Sequence, residues 1–213
     1  MKLIVFDCDS TLSAIEGIDE LARVRGPETF TEIESLTNAA MNGEVPIDEI
    51  FGRRLEIIQP DLATCQKVGQ LYIDQIEPTA VSTLEKLRST GWVTVIVSGG
   101  FTQVIEPLAA YLGVERIEAV PLHFNEDGSY AGYDTSAPPT RNGGKPEIVA
   151  SLKAEFHPEK VVMVGDGISD LEAQGEVDTF IGFGRYAARE KVQAQADHFV
   201  TSLEQIPALI SGE

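Results

Sequence analysis

Lys2-Leu3-Ile4-Val5-Phe6-Asp7-Cys8-Asp9-Ser10-Thr11 is the stretch from which the fold can be read. Leu3 to Phe6 is a short run of large apolar residues that stops abruptly at two carboxylates. A run of that length, apolar on alternate and intervening positions alike, suits a central strand of a parallel sheet covered on both faces. Open sheets of this kind bind ligands just beyond the carboxyl ends of their strands. Asp7 and Asp9 stand there, as alternate residues of an extended segment that can point the same way. Like charges so close either share a proton or surround a cation. Both are hard oxygen donors with no histidine nearby, so Mg²⁺ is the expected ion. One carboxylate can then attack phosphorus while the other gives a proton to the leaving oxygen. A solvated turn or a helix cap would also use Asp and Ser, so the other motifs must decide.

Outward from that strand the pattern changes twice. Residues 15–25, 31–41, 46–58 and 61–72 read as four consecutive helices. Pro46 stands at a first-turn position, and Asp61 is the cap of the fourth helix. Four helices in a row do not belong to strand–helix alternation, so residues 14–76 are expected to form a small helical cap inserted into a core of residues 1–13 and 77–213. From Pro78 the alternation resumes: a helix over 80–88, a buried strand over 92–97, a helix over 101–111 and a strand over 117–121. Leu122-His123-Phe124 and Tyr130 to Tyr133 flank an Asp127-Gly128 turn and predict a hairpin flap. A helix follows Gly143-Gly144-Lys145, then a strand over 160–164, a short strand over 179–182, a helix over 186–196 and an edge strand at Phe199-Val200. The expected fold is α/β: a Rossmann-like doubly wound parallel sheet with the helical cap and the hairpin flap added.

Composition bounds the partners. The chain has 213 residues, 43% hydrophobic and 23% charged, with a net charge of −18. That charge argues against nucleic acid or an anionic membrane as partner. An anionic substrate then needs local positive charge, for which Lys145, Arg54 and a divalent metal are candidates. Two cysteines are too few for a disulfide framework, and Cys8 is expected to point into the sheet packing. No basic-then-apolar leader is evident and no apolar run reaches a membrane span, so a cytoplasmic protein, monomeric or homodimeric, is expected.

Three strands end in polar signatures: Asp7 and Asp9, Ser98-Gly99-Gly100, and Asp166-Gly167 with Asp170. A doubly wound sheet sets all three along one rim. The two glycines after Ser98 let backbone N–H groups approach an anion, although a plain strand-to-helix turn would read the same. Lys145 at a helix start is electrostatically misplaced, since the positive end of the helix dipole disfavours a cation, which points to anion binding. Asp166 and Asp170 complete an acidic metal site, or alternatively a glycine turn with a helix cap. Together they supply what phosphoryl transfer needs, because its transition state spreads charge over three equatorial oxygens.

In these motifs the chain resembles the haloacid dehalogenase superfamily, and within it the phosphoserine phosphatase family. Asp7-Cys8-Asp9-Ser10-Thr11, Ser98-Gly99-Gly100-Phe101, Lys145 in Gly-Gly-Lys and Gly165-Asp166-Gly167-Ile168-Ser169-Asp170 match the four motifs in order. Glu16 to Leu21 and the Arg54-Leu55 … Gln59-Pro60 stretch match that family in particular. The resemblance implies two-step hydrolysis of phosphoserine to serine and phosphate, the last step of serine biosynthesis. Asp7 would be the nucleophile that becomes an aspartyl phosphate, and Asp9 the general acid and base. Asp7, the Asp9 backbone carbonyl and Asp166 would hold Mg²⁺, with Asp170 behind them orienting the lysine or a metal-bound water. Ser98, the Gly99 N–H and Lys145 would grip the phosphoryl oxygens, and Ser169 would touch the substrate. Met41, Gly43 and Ile47 would lie near it. Independently of the resemblance, Glu16 and Arg54 offer one partner each for an ammonium and a carboxylate. Three other readings compete: a phosphotransferase handing the group to an alcohol such as homoserine, a phosphatase for another small phosphometabolite, and a non-enzymatic signalling receiver. The receiver places its acceptor Asp after a middle strand and has no cap, unlike the pattern here.

Overall fold

The computed structural model describes residues 1–211. Strand β1 (Lys2–Phe6) is followed by helices α1 (Gly17–Arg23), α2 (Pro27–Met41), α3 (Ile47–Ile58), α4 (Leu62–Asp74) and α5 (Ala80–Ser89). Then come β2 (Trp92–Phe101), α6 (Thr102–Leu112), β3 (Arg116–Val120) and the hairpin β4 (Leu122–Phe124) with β5 (Tyr130–Tyr133). The rest is α7 (Gly144–Phe156), β6 (Lys160–Gly165), α8 (Ile168–Leu171), β7 (Thr179–Phe183), α9 (Glu190–Gln195), β8 (His198–Val200) and α10 (Ile206–Ile210). Six strands form a parallel sheet in the order β3-β2-β1-β6-β7-β8, and β4-β5 form a separate antiparallel pair. Among the described residues no helix is long and apolar enough to cross a membrane.

The parity of β1 explains why it is central. Ile4 and Phe6 enter one apolar cluster, Leu3 and Val5 the other, and all four are fully buried. Strand β6 repeats this, with Val162 and Val164 on the first side and Val161 and Met163 on the second. Alternate side chains point to opposite faces, so only a strand covered on both sides can be apolar throughout. Cys8 is fully buried in the first cluster, as expected.

Helices α1–α4 stand between β1 and the resumed alternation, on a neck where Ser13 bridges Ile76 and Ala14 N–H donates to the Gln75 carbonyl at 2.9 Å. They share one apolar cluster with the sheet through Leu21, Ile33, Phe51, Cys65 and Tyr72. Phe51 meets Phe101 edge to face, with ring centroids 6.2 Å apart. Asp61 caps α4 by accepting from Thr64 N–H at 2.7 Å.

Several elements differ from the sequence expectation. Helix α2 begins a turn earlier, at Pro27, whose fixed φ suits a first helical position. Pro46 is the residue capping α3 rather than a member of its first turn. Strand β2 runs on through Ser98-Gly99-Gly100 to Phe101, because Phe101 regains a partner in Val120 after an irregularity beyond Val97. The helix expected over 186–196 is confined to α9. Arg189 stays extended there because its guanidinium reaches Asp166 and Asn42.

Candidate active site

The register sets the site. Phe6 lies opposite Ile96 on one side and Val164 on the other. Asp7 follows Phe6 directly, while Ser98 and Asp166 stand two positions beyond those partners, so the three arrive at one rim. Asp7 N–H extends the ladder by donating to the Val164 carbonyl at 2.9 Å. A tight cleft of about 40 Å³, partly open to solvent, lies above this rim. Asp7, Asp9, Gly99, Gly100, Lys145, Asp166 and Ser169 line it from the sheet side. Glu16, Met41, Ile47 and Arg54 line it from the inserted helices.

Lys145 comes into the first turn of α7 because Gly144 sits tight against the Pro138 carbonyl; a Cβ there would lie 1.8 Å from that oxygen. Its Nζ is 2.5 Å from Asp170 Oδ1 and 2.9 Å from Asp7 Oδ1, with all three side chains buried. Burial works against the ammonium, but the Asp170 and Asp7 carboxylates outweigh it and hold the amine protonated. Asp170 also accepts from Gly167 N–H at 2.9 Å, and burial followed by Asp7 holds its carboxyl well above the usual range. The same two causes push Asp166 up to about 7, with Arg189 pulling it back from 3.1 Å.

Asp7, Asp166 and Asp170 bring ligand oxygens within 4.8 Å of one another, all buried. Asp7 Oδ1 is buried, with the Lys145 ammonium 2.9 Å away. An all-oxygen set of three buried carboxylates fits a hard divalent cation, which would relieve the crowding that raises Asp166 and Asp170.

Asp9 is held from three directions. Gly17 N–H donates to Oδ1 at 2.7 Å, the Tyr72 hydroxyl donates to the same oxygen, and Ser98 Oγ donates to Oδ2 at 3.2 Å. Burial and then Asp7 raise its carboxyl, against the pull of Tyr72 and Gly17. Glu16 accepts from Ser10 Oγ at 2.6 Å, and burial followed by Asp9 holds it well above the usual carboxylate range. Arg54 is 3% exposed; its Nη1 donates to Thr37 Oγ1 at 3.1 Å, and Thr37 in turn donates to Asp19 Oδ1 at 2.7 Å.

Two residues expected at the site stand back from the cleft. Ser98 is fully buried, tied to Asp9 and accepting from Gly100 N–H at 3.0 Å. Gly43 is exposed at a left-handed turn with φ of 69° and faces Ile168. Conversely, sequence reasoning missed Tyr72, Thr37, Asp19, Arg141 and Arg189. Tyr72 and Thr37 are polar residues on amphipathic helices with no motif around them, and Asp19 lay inside the Glu16 to Leu21 match without being singled out. Arg189 lay in a segment read as helix.

A family model described as haloacid dehalogenase-like hydrolase matches residues 1–177. A phosphoserine phosphatase from Bos taurus is 35% identical over 205 residues, spanning 95% of this chain and 90% of its own. Among solved structures, a phosphoserine phosphohydrolase-like protein from Francisella tularensis superposes with a TM-score of 0.88 at 28% identity, covering 99% of this chain and 100% of its own. A phospho-aspartyl intermediate analogue of a phosphoserine phosphatase superposes with a TM-score of 0.85 at 26% identity, covering 98% of each chain. With the acid pair, the buried lysine and the third acidic strand end gathered at one rim, this chain belongs to the haloacid dehalogenase-like hydrolase family.

Proposed function

We propose that the chain hydrolyses O-phosphoserine to serine and phosphate, as the last step of a serine biosynthesis. One observation carries this: a single cleft joins Asp7, Asp9, Lys145 and Asp166 on the sheet side to Glu16 and Arg54 on the helical side. The first group suits a phosphoryl dianion; the second suits the ammonium and carboxylate at the other end of the same small molecule. Residues 14–76 act as a cap that closes over this substrate and opens to release product.

An oxygen of Asp7 attacks phosphorus, the phosphorus–serine oxygen bond breaks, and Asp9 passes its proton to the departing oxygen. Asp9, now a carboxylate, takes a proton from water as that water attacks the aspartyl phosphate, freeing phosphate and restoring Asp7. Lys145 and the Gly99 N–H hold phosphoryl oxygens, and Ser98 exchanges its bond to Asp9 for another. Asp7, the Asp9 backbone carbonyl and Asp166 would hold Mg²⁺, with Asp170 steadying Lys145 beside it; the ion supplies charge neutralisation for the approach of two anions. Ser169, Met41 and Ile47 complete the wall around the substrate. The substrate ammonium provides the countercharge that Glu16 needs to ionise.

The test is phosphate release, with Mg²⁺ present, from phosphoserine, phosphothreonine and sugar phosphates. Phosphoserine should show the highest kcat/KM, and Asp7→Asn should abolish turnover. A sugar phosphate cleaved as well as phosphoserine would overturn the substrate assignment. Loss of released phosphate to an added alcohol acceptor would make the enzyme a transferase instead.

A further inference from the structure

Tyr72 is a fully buried tyrosine on α4 whose hydroxyl the steps above do not use. It ends on Oδ1 of Asp9, the oxygen that also accepts from Gly17 N–H at 2.7 Å. Both donors belong to the inserted helices, whereas Asp9 follows β1. The arrangement demands glycine at 17, since a Cβ there would lie 2.2 Å from the Tyr72 hydroxyl oxygen. Among the described residues Oδ2, by contrast, accepts only from the Ser98 hydroxyl, at 3.2 Å, and a Cβ on Gly100 would lie 2.8 Å from it. The missing side chain at Gly100 therefore keeps the cleft side of Oδ2 clear.

A carboxyl carries its proton on the oxygen that accepts fewer hydrogen bonds, because an oxygen already facing two N–H or O–H donors has no room for a third hydrogen. The Tyr72 hydroxyl and the Gly17 N–H both donate to Oδ1, whereas Oδ2 accepts from the Ser98 hydroxyl. We propose that Tyr72 is a positioning residue: together with the Gly17 N–H it occupies Oδ1 of Asp9, so that Oδ2 alone exchanges the proton with the leaving oxygen. When the phosphorus–oxygen bond breaks, the Oδ2 proton moves to the departing oxygen, and the carboxylate charge that remains is carried on Oδ1 beneath two donors. The proton taken from the attacking water returns to Oδ2, and the cycle closes without any change at Tyr72. This inference rests on Asp9 being the general acid of the proposed hydrolysis.

The experiment is kcat/KM for wild type and Tyr72→Phe over a series of phosphomonoesters, from p-nitrophenyl phosphate through phenyl phosphate to alkyl phosphates and phosphoserine. This ratio reports the step in which the leaving group departs. A nitrophenolate needs no proton to leave, whereas an alkoxide does. Deleting the hydroxyl should therefore lower the ratio roughly tenfold or more for the alkyl esters and phosphoserine, and less than about threefold for p-nitrophenyl phosphate. The dependence on leaving-group pKa should steepen. An equal loss across the series would assign Tyr72 to packing and overturn the proposal, as would no loss at all. Gly17→Ala, which displaces the phenol hydroxyl without removing it, should reproduce the steepening and serves if Tyr72→Phe does not fold. If wild type ignores phosphoserine but cleaves other esters, the substrate assignment fails while this comparison can still be made on those esters.

Discussion

Arg54 carries a charge into a nearly sealed position, and burial draws its guanidinium down to about 10, still protonated at neutral pH. Its Nε has no hydrogen-bond partner among the described residues. A buried donor left unsatisfied is costly, and a carboxylate arriving in the cleft would satisfy it. Arg54→Ala should accordingly raise KM for phosphoserine by roughly 10-fold to 100-fold, the worth of a charged hydrogen bond. The KM for phenyl phosphate, which has no carboxylate, should stay within about threefold of wild type. Equal increases for both would show that Arg54 only supports the fold. At this scale the sequence was most legible where side chains follow strands, as Asp7 and Asp166 do, because register alone brings them together. Glu16 and Arg54 stood out through their charges and a resemblance. Tyr72 and Thr37 could not be read, since a tyrosine or threonine on the apolar side of a helix is ordinarily packing.

Between elements, the inserted helices are tied by a polar chain: Asp19 on α1, Thr37 on α2 and Arg54 on α3. Burial pushes the Asp19 carboxyl from 3.8 up to about 6, with the Thr37 hydroxyl and the Arg54 charge drawing it back and Asp9 and Glu34 adding to the rise. An acid that holds its proton more tightly folded than unfolded favours the fold most below its unfolded value, and this advantage is lost as pH rises through the folded value. The loss here amounts to at most about 3 kcal/mol between pH 4 and pH 7. Asp19→Asn removes it, so denaturant unfolding should show the variant gaining on wild type over that interval. A pH-independent difference would show that Asp19 does not titrate in that range. Element boundaries were the least legible feature of the sequence. Strand β2 gained four residues from a distant pairing with Val120, and the segment before α9 was held extended by a side chain reaching a different strand end. Neither partner is local in sequence, and helical periodicity contains only local information.

The whole molecule is strongly acidic, at −18, yet its site gathers Lys145, Arg54, Arg141 and Arg189 near three crowded carboxylates. A divalent cation bound there favours the folded state by mass action. Adding Mg²⁺ to chelator-stripped protein should therefore raise the melting temperature. Asp166→Asn should lose most of that rise, while Asp197→Asn, in the turn before β8 at the far edge of the sheet, should keep it. A melting temperature indifferent to Mg²⁺ in the wild type would argue against the ion. The order of the sheet also has a bearing on how the chain assembles. Its middle strand is the earliest made, but Lys2 pairs with Trp92 on one side and Lys160 on the other. During synthesis β1 therefore emerges with neither neighbour, and of the inserted helices α1, α2 and α3 can pack on one another at once, whereas α4 waits for its main partner, α6. The catalytic rim comes together only after Gly165 has left the ribosome, so a nascent chain shorter than that already carries Asp7 and Asp9 but has no place to use them.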